Sequence, residues 1–281
     1  MTINEIIQQA LLEDIGNGDH SSLACISPAI QGKMQLLAKE NGILAGMEMA
    51  ERVLHLVDSE IKMEIYKKDG DVVQPGDVVF SITGSAQKML TAERTVLNFM
   101  QRMSGIATTS HQYVELLKGT GTKILDTRKT TPNMRIFEKY AVKVGGAENH
   151  RFGLYDMIML KDNHIDFAGS IEKAIDTTRK YLRDNNLDLK IEIETRSLEE
   201  VKRVVLHGGV DRIMLDNFTP DKIREALKII DGKYETEASG GITKDTIREF
   251  AETGVDYISV GALTHHIASL DLSLKTVPLD L

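Results

Sequence analysis

Apolar residues recur three and four apart at Ile3, Ile6, Ile7, Ala10 and Leu11, which predicts an amphipathic helix over 3–13 that stops near Gly16. The period then shortens. Residues 33–39 (KMQLLAK) are expected to form a strand, 47–57 a helix, and 61–66 alternate as a strand does. Asp69-Gly70 and Pro75-Gly76 punctuate the short Val-rich runs that follow, so the N-terminal part is expected to be a small α+β domain. A long helical pattern over 91–117 leads out of it, with a break expected at Ser104-Gly105.

Beyond that helix the rhythm is strand and helix in alternation. Short apolar strands are predicted at 123–125, 157–160, 190–193, 212–215, 234–238 and 257–260, with helices at 134–144, 169–182, 198–207, 220–230 and 244–252. Strict alternation implies parallel βαβ units. Six closely spaced repeats favour a closed or nearly closed α/β barrel over an open doubly wound sheet. The expected organisation is an N-terminal α+β domain over 1–108, an α/β barrel over 109–268, and a tail over 269–281 packing on the first domain.

Composition narrows the setting. A formal charge of −8 and the absence of Trp argue against general nucleic-acid binding, since neither a basic face nor stacking platforms are available. No apolar run approaches the ~18 residues of a membrane span, and MTINEIIQQALLEDIG lacks the basic start and apolar stretch of an export signal, so a cytoplasmic protein is expected. The single cysteine, Cys25, has no disulfide partner and reads as a small apolar filler in a reducing compartment.

Charge is concentrated in one place. The window 123–164 carries eight Lys and Arg against five Asp and Glu, while the rest of the chain carries 26 against 37. Its cations sit in turns and at strand ends, as a site for a polyanion requires. In a barrel the C-terminal strand ends converge on one face. Read in order, they offer Asp126, Arg128 and Lys129; Lys161, Asp162, Asn163 and His164; Glu192 and Glu194; Asp216 and Asn217; Ser239-Gly240-Gly241; and Gly261. His150 and Arg151 follow a glycine-containing loop and suit carboxylate recognition. Glu194 and Asp216 suit Mg²⁺, a hard cation that takes carboxylate oxygens. SGGIT and VGALT are turns whose backbone N–H groups are open to phosphate. Glu192 and Glu194 share a face; the deeper one needs a partner, for which Lys190 or Lys161 is available. His164 either joins the site or caps the segment after it.

Two resemblances follow. DGDVVQPGDVV is similar to the hammerhead of biotinyl and lipoyl carrier modules, but no lysine occupies its QPG turn. TAERTVLNFMQRMSGIAT, DTRKTTPNMR, GGAENHRFGLYDMIMLKDNH, IEIET, MLDNF, EASGGIT and ISVGALT, in this order, closely resemble the quinolinate phosphoribosyltransferase family over nearly the whole chain. The resemblance implies an N-terminal α/β domain, an incomplete α/β barrel, and conversion of quinolinate and phosphoribosyl pyrophosphate to nicotinate mononucleotide, CO₂ and pyrophosphate with Mg²⁺, in de novo NAD synthesis. It also implies that Arg94, Arg128, His150, Arg151 and Lys161 bind quinolinate and that Lys129 lies between the substrates. Glu194 and Asp216 are implied at the Mg²⁺–phosphoribosyl end, and Ser239, Gly240, Gly241 and Gly261 at phosphate. Lys129, Lys161, Glu194 and Asp216 are the implied catalytic set. A homodimer is implied as the minimum unit, with Arg94 supplied by the neighbouring chain. The alternatives are a paralogue acting on another heteroaromatic acid and a non-catalytic binder of an anionic metabolite.

Overall fold

The computed structural model describes residues 2–278. The chain forms two compact units: one takes in the chain up to His111, Thr131–Gly146, and the chain from His266 onward; the other comprises Gln112–Thr130 and Ala147–His265.

In the first unit the opening helix, Ile3–Ile15, begins at a reciprocal cap in which the Glu5 amide donates to Thr2 Oγ1 and the Thr2 amide to Glu5 Oε2. Its apolar stripe buries Ile7 and Leu11. An antiparallel sheet runs in the order Leu272–Val277, Gln31–Ala38, Val78–Ser85 and Lys62–Ile65. The expected 269–281 tail thus supplies an edge strand; its residues 279–281 lie outside the described residues. Period-2 burial of Met34, Leu36 and Ala38 gives the sheet one apolar face, and the Met47–Val57 helix adds Val53 and Leu54 to this core.

Three sequence expectations are corrected here. The long helix runs unbroken over Ala86–Leu116. Ser104 turns its hydroxyl to the Ala45 backbone, donating to its carbonyl and accepting from its amide, and a Cβ at Gly105 would lie 2.2 Å from the Ala268 carbonyl. The Ser-Gly pair marks close backbone approach, not a break. The helix expected over 134–144 forms as Arg135–Val144 but clusters with the first unit: Phe137 packs edge to face on Phe99 and buried Glu138 accepts two hydrogen bonds from Arg102. Cys25 is exposed at the end of the His20–Cys25 helix, so it fills no core.

The second unit holds six parallel strands at Lys123–Leu125, Ile158–Leu160, Ile191–Thr195, Arg212–Asp216, Glu235–Ser239 and Tyr257–Ser259. The spatial order starts at the first of these, passes to the sixth, and returns through the fifth, fourth and third to the second. Consecutive first and second strands therefore form the two edges, with no ladder between them among the described residues. This is an incomplete α/β barrel. Its helices bury aliphatic stripes, such as Ile223, Ala226 and Ile230 of Pro220–Ile230, a helix started by the Thr219 cap and Pro220.

Candidate active site

The C-terminal ends of all six strands line one cavity of about 750 Å³, a volume suited to small-molecule ligands. Parallel strands place residues of equal parity on one face, so the barrel interior is layered. The layer at the cavity mouth carries Lys161, Glu194, Asp216, Ser239 and Gly261. Two residues earlier on the same strands lie Met159, Glu192, Met214, Glu237 and Ser259, and four of these, all but Glu192, also line the cavity.

Arg128 and Lys129 arrive on the loop after the first strand. Thr127 Oγ1 accepts from the Lys129 amide and the Thr264 hydroxyl donates to the Lys129 carbonyl at 2.8 Å, so this backbone is held from both sides. His150 and Arg151 arrive on the loop before the second strand. Buried Asp126 anchors that loop, accepting from the His150 amide at 2.8 Å and from the Asn149 side chain at 2.6 Å. The Arg151 guanidinium donates to the Met157 carbonyl. Burial, and then the neighbouring charge of Arg128, lowers the Arg151 pKa. A buried guanidinium beside a second one forms a pocket that an anion relieves.

His150 is buried, and both ring nitrogens face protein groups. Nδ1 accepts from the Arg151 amide at 2.7 Å, while Nε2 lies 3.0 Å from Glu192 Oε2 and 3.3 Å from Glu237 Oε2. Burial works against a charged ring, but the two carboxylates outweigh it and lift the pKa to about 9. The amide contact, which only a neutral ring accepts, opposes that rise; two buried carboxylates against one amide decide its direction. The partner expected for Glu192 is corrected. It is His150, with Arg212 4.0 Å away, whereas Lys190 reaches Glu235 at 3.7 Å and Lys161 reaches Glu194 at 3.4 Å. Lys190 precedes its strand and opens to solvent, away from the buried acid.

In the same cavity, burial raises the pKa of Glu194, with Lys161 opposing and Asp216 reinforcing. Burial also raises Asp216, and the Asn217 side chain, donating at 2.6 Å, partly offsets it. Ser239, Gly240 and Gly241 follow, the two glycines at φ +99 and +65. A Cβ on Gly240 would lie 2.2 Å from Asn217 Oδ1, and one on Gly261 would lie 3.1 Å from Lys129 Cδ. Both glycines keep backbone and cavity in contact. His164 caps the Asp162–Ala168 helix, its Nδ1 accepting from the Lys161 amide at 2.9 Å, and does not line the cavity.

The structure therefore brings together Arg128, Lys129, His150, Arg151, Lys161, Glu194, Asp216, Ser239, Gly240, Gly241 and Gly261. Arg94 is exposed on the Ala86–Leu116 helix of the first unit and does not line the cavity. Sequence reasoning missed Glu237, Thr243, Ser259 and His265 as lining residues. The signal for Glu237 and Ser259 was available: each lies two residues before a predicted phosphate turn, on the same face.

Comparison with known proteins adds two family matches, to the quinolinate phosphoribosyl transferase C-terminal domain over residues 106–275 and to its N-terminal domain over 19–104. A Nicotiana glauca protein named quinolinate phosphoribosyltransferase [decarboxylating] 2, mitochondrial, is 43% identical over 288 residues, covering 97% of this chain and 82% of that protein. The probable nicotinate-nucleotide pyrophosphorylase [carboxylating] of Bacillus subtilis is 43% identical over 274 residues, covering 98% and 93%. The crystal structure of NadC from Streptococcus pyogenes superposes with a TM-score of 0.93 at 44% identity, covering 98% of this chain and 97% of that one. On its order of motifs, its two matched domains and its fold, the chain belongs to the quinolinate phosphoribosyltransferase family.

Proposed function

We infer that this protein catalyses decarboxylating phosphoribosyl transfer, converting quinolinate and phosphoribosyl pyrophosphate to nicotinate mononucleotide, CO₂ and pyrophosphate, as a step of NAD synthesis. The observation that carries this reading is one cavity that holds Arg128 near enough to Arg151 to lower its pKa together with an acidic pair, Glu194 and Asp216, that Lys161 meets at 3.4 Å from Glu194.

A dicarboxylate carries two negative groups on adjacent ring carbons and needs several converging donors. Arg128, Arg151 and Lys161 supply them, and each is worth more as a charge-assisted hydrogen bond than a neutral donor would be. The ring nitrogen is thereby aimed at the ribose C1. As the C1–O bond to pyrophosphate breaks, negative charge builds on the leaving group, where Lys129 and the N–H groups of the 239–241 turn stabilise it, and the nitrogen–C1 bond forms. The quaternised ring then takes up the electron pair left when the C2–carboxylate bond breaks, and C2 takes a proton. The protein positions and neutralises; no side chain need form a covalent bond.

Glu194 and Asp216 fit a divalent cation. Both are oxygen donors, and burial raises the proton affinity of each, reinforced at Glu194 by Asp216 and at Asp216 by Asp162, which a cation would relieve. Mg²⁺ held there would neutralise the pyrophosphate charge. Arg94, exposed and outside the cavity lining, fits delivery to the site of a neighbouring chain, which makes a homodimer the working unit. A cytoplasmic setting fits a lone, exposed cysteine; among the described residues no helix is long and apolar enough to cross a membrane.

The test is to incubate the protein with quinolinate, phosphoribosyl pyrophosphate and Mg²⁺ and to measure nicotinate mononucleotide and released CO₂. Equimolar product is expected. Absence of both, with quinolinate binding intact, would overturn the reading.

A further inference from the structure

Beneath the substrate-facing layer sits a set of charged side chains that the reaction does not use directly. Glu192 and Glu237 are fully buried on the third and fifth barrel strands, Glu192 in register with Arg212 and Glu237 with Met214 of the fourth strand between them. The Arg212 guanidinium lies 3.1 Å from Glu237 Oε2 and 4.0 Å from Glu192 Oε2, and it stacks 4.2 Å over the Tyr257 ring. From above, His150 Nε2 meets both carboxylates, at 3.0 and 3.3 Å. These separations also suit three ligands of a metal ion. The His150 ring and the Arg212 guanidinium, however, already face both carboxylates, and a metal ion would have to displace one of them.

Two carboxylates placed in a barrel interior are costly unless they are matched, and Arg212, which also donates to Glu235, sits at 3.1 Å from Glu237 but only at 4.0 Å from Glu192. The remaining match is the His150 ring, which approaches from the cavity side. His150 is therefore held three ways: its amide by Asp126, its Nε2 edge by the acid pair, and its Nδ1 edge by the amide of Arg151. Arg151 is the next residue in the chain, and its guanidinium enters the pocket that receives carboxylates.

We propose that Glu192 and Glu237 are positioning residues for the quinolinate end of the site, holding the His150 ring from beneath and, through it, the backbone that presents Arg151. This rests on the activity inferred above. The phosphoribosyl end shares these two strands, with Glu194 and Ser239 two residues further along, but neither of those residues faces the His150 ring, so the larger effect falls on quinolinate.

The experiment uses Glu192→Gln and Glu237→Gln, which keep side-chain shape, in the full chain, with initial rates taken while each substrate is varied in turn. The expected result is a KM for quinolinate raised about tenfold, with kcat and the KM for phosphoribosyl pyrophosphate within about twofold of the parent. Introduced beside His150→Ala, Glu192→Gln should add no further loss, because the residue it acts through is already gone. Calorimetric titration of quinolinate into each variant reads the same affinity without turnover, so the proposal is decided even if the parent protein makes no nicotinate mononucleotide. Thermal unfolding identifies variants that are misfolded and removes them from the comparison. Unchanged quinolinate affinity in both folded variants, an equal rise in the two KM values, or additive losses beside His150→Ala would overturn it.

Discussion

The Thr264 hydroxyl donates to the backbone carbonyl of Lys129 at 2.8 Å, tying the turn after the last barrel strand to the loop after the first. These strands are neighbours in space but lie at opposite ends of the barrel sequence. The bond fixes the base of the Lys129 side chain beside Gly261. Thr264→Val keeps the shape and removes the donor. Activity is expected to fall roughly 10- to 100-fold as Lys129 shifts, with a stability cost of about 1–3 kcal/mol for the carbonyl left without this donor. Steady-state kinetics and urea unfolding check both.

Gly240 and Gly241 separate two reasons for a glycine. At Gly240 a Cβ meets Asn217 Oδ1 at 2.2 Å and the backbone is at φ +99, whereas Gly241, at φ +65, has open space around it. Gly241→Ala should cost about 1–2 kcal/mol, the left-handed penalty alone. Gly240→Ala should cost more and raise the KM for phosphoribosyl pyrophosphate, because Asn217 must move and with it the hydrogen bond to Asp216. Equal unfolding midpoints for the two variants would contradict this.

Glu138 is fully buried, and its Oε1 accepts from Arg102 at 2.8 and 2.6 Å. Arg102→Met leaves a buried carboxylate without its main cation, a change that typically costs about 3–5 kcal/mol. Arg102→Met combined with Glu138→Gln should recover much of that loss. Denaturant midpoints of the parent, both single variants and the double variant give the coupling directly.

Glu172 receives a forked contact from Arg203, at 2.9 and 2.7 Å, and that contact lowers its pKa to about 2. A carboxylate depressed in the folded state binds protons more readily when unfolded. Its stabilisation is therefore present above pH 4.5 and lost as pH falls towards 2. Both side chains are over a third exposed, so solvent screening keeps the contribution of the pair small. Arg203→Gln should make the loss of stability on the acid side slightly shallower, and added salt should do the same to the parent; unfolding midpoints measured from pH 6 to pH 2 check both.

If Arg94 completes the site of a neighbouring chain, Arg94→Ala and Lys161→Ala chains should each be nearly inactive alone. Mixed after dissociation, they should recover up to about a quarter of parental activity, the share of sites that draws both intact residues in a random two-chain mixture. No recovery in confirmed mixed dimers would show that Arg94 serves its own chain.

Much of this was legible because the relevant signals are local. Strand boundaries, the 47–57 and 198–207 helices, and the charged strand ends follow from period and turn chemistry within a few residues. Parity along single strands is enough to set Glu194 over Glu192. What failed depended on residues distant in sequence. Ser104-Gly105 looked like a helix break because its true partners, Ala45 and Ala268, are far along the chain. The 134–144 helix was assigned by sequence order, whereas Phe99 and Arg102 draw it into the first unit.

The charge pattern and strand rhythm alone place a cationic, carboxylate- and glycine-edged site on a parallel α/β sheet, because every parallel strand delivers its end to the same rim. Which acid pairs with which base depended on the curl of the sheet. Glu192, Arg212 and Glu237 come from three strands, and His150 comes from a loop more than forty residues before the first of them. Only closing the sheet around its own interior brings these four within hydrogen-bonding and ion-pair distance of one another, and burial then makes their pairing obligatory.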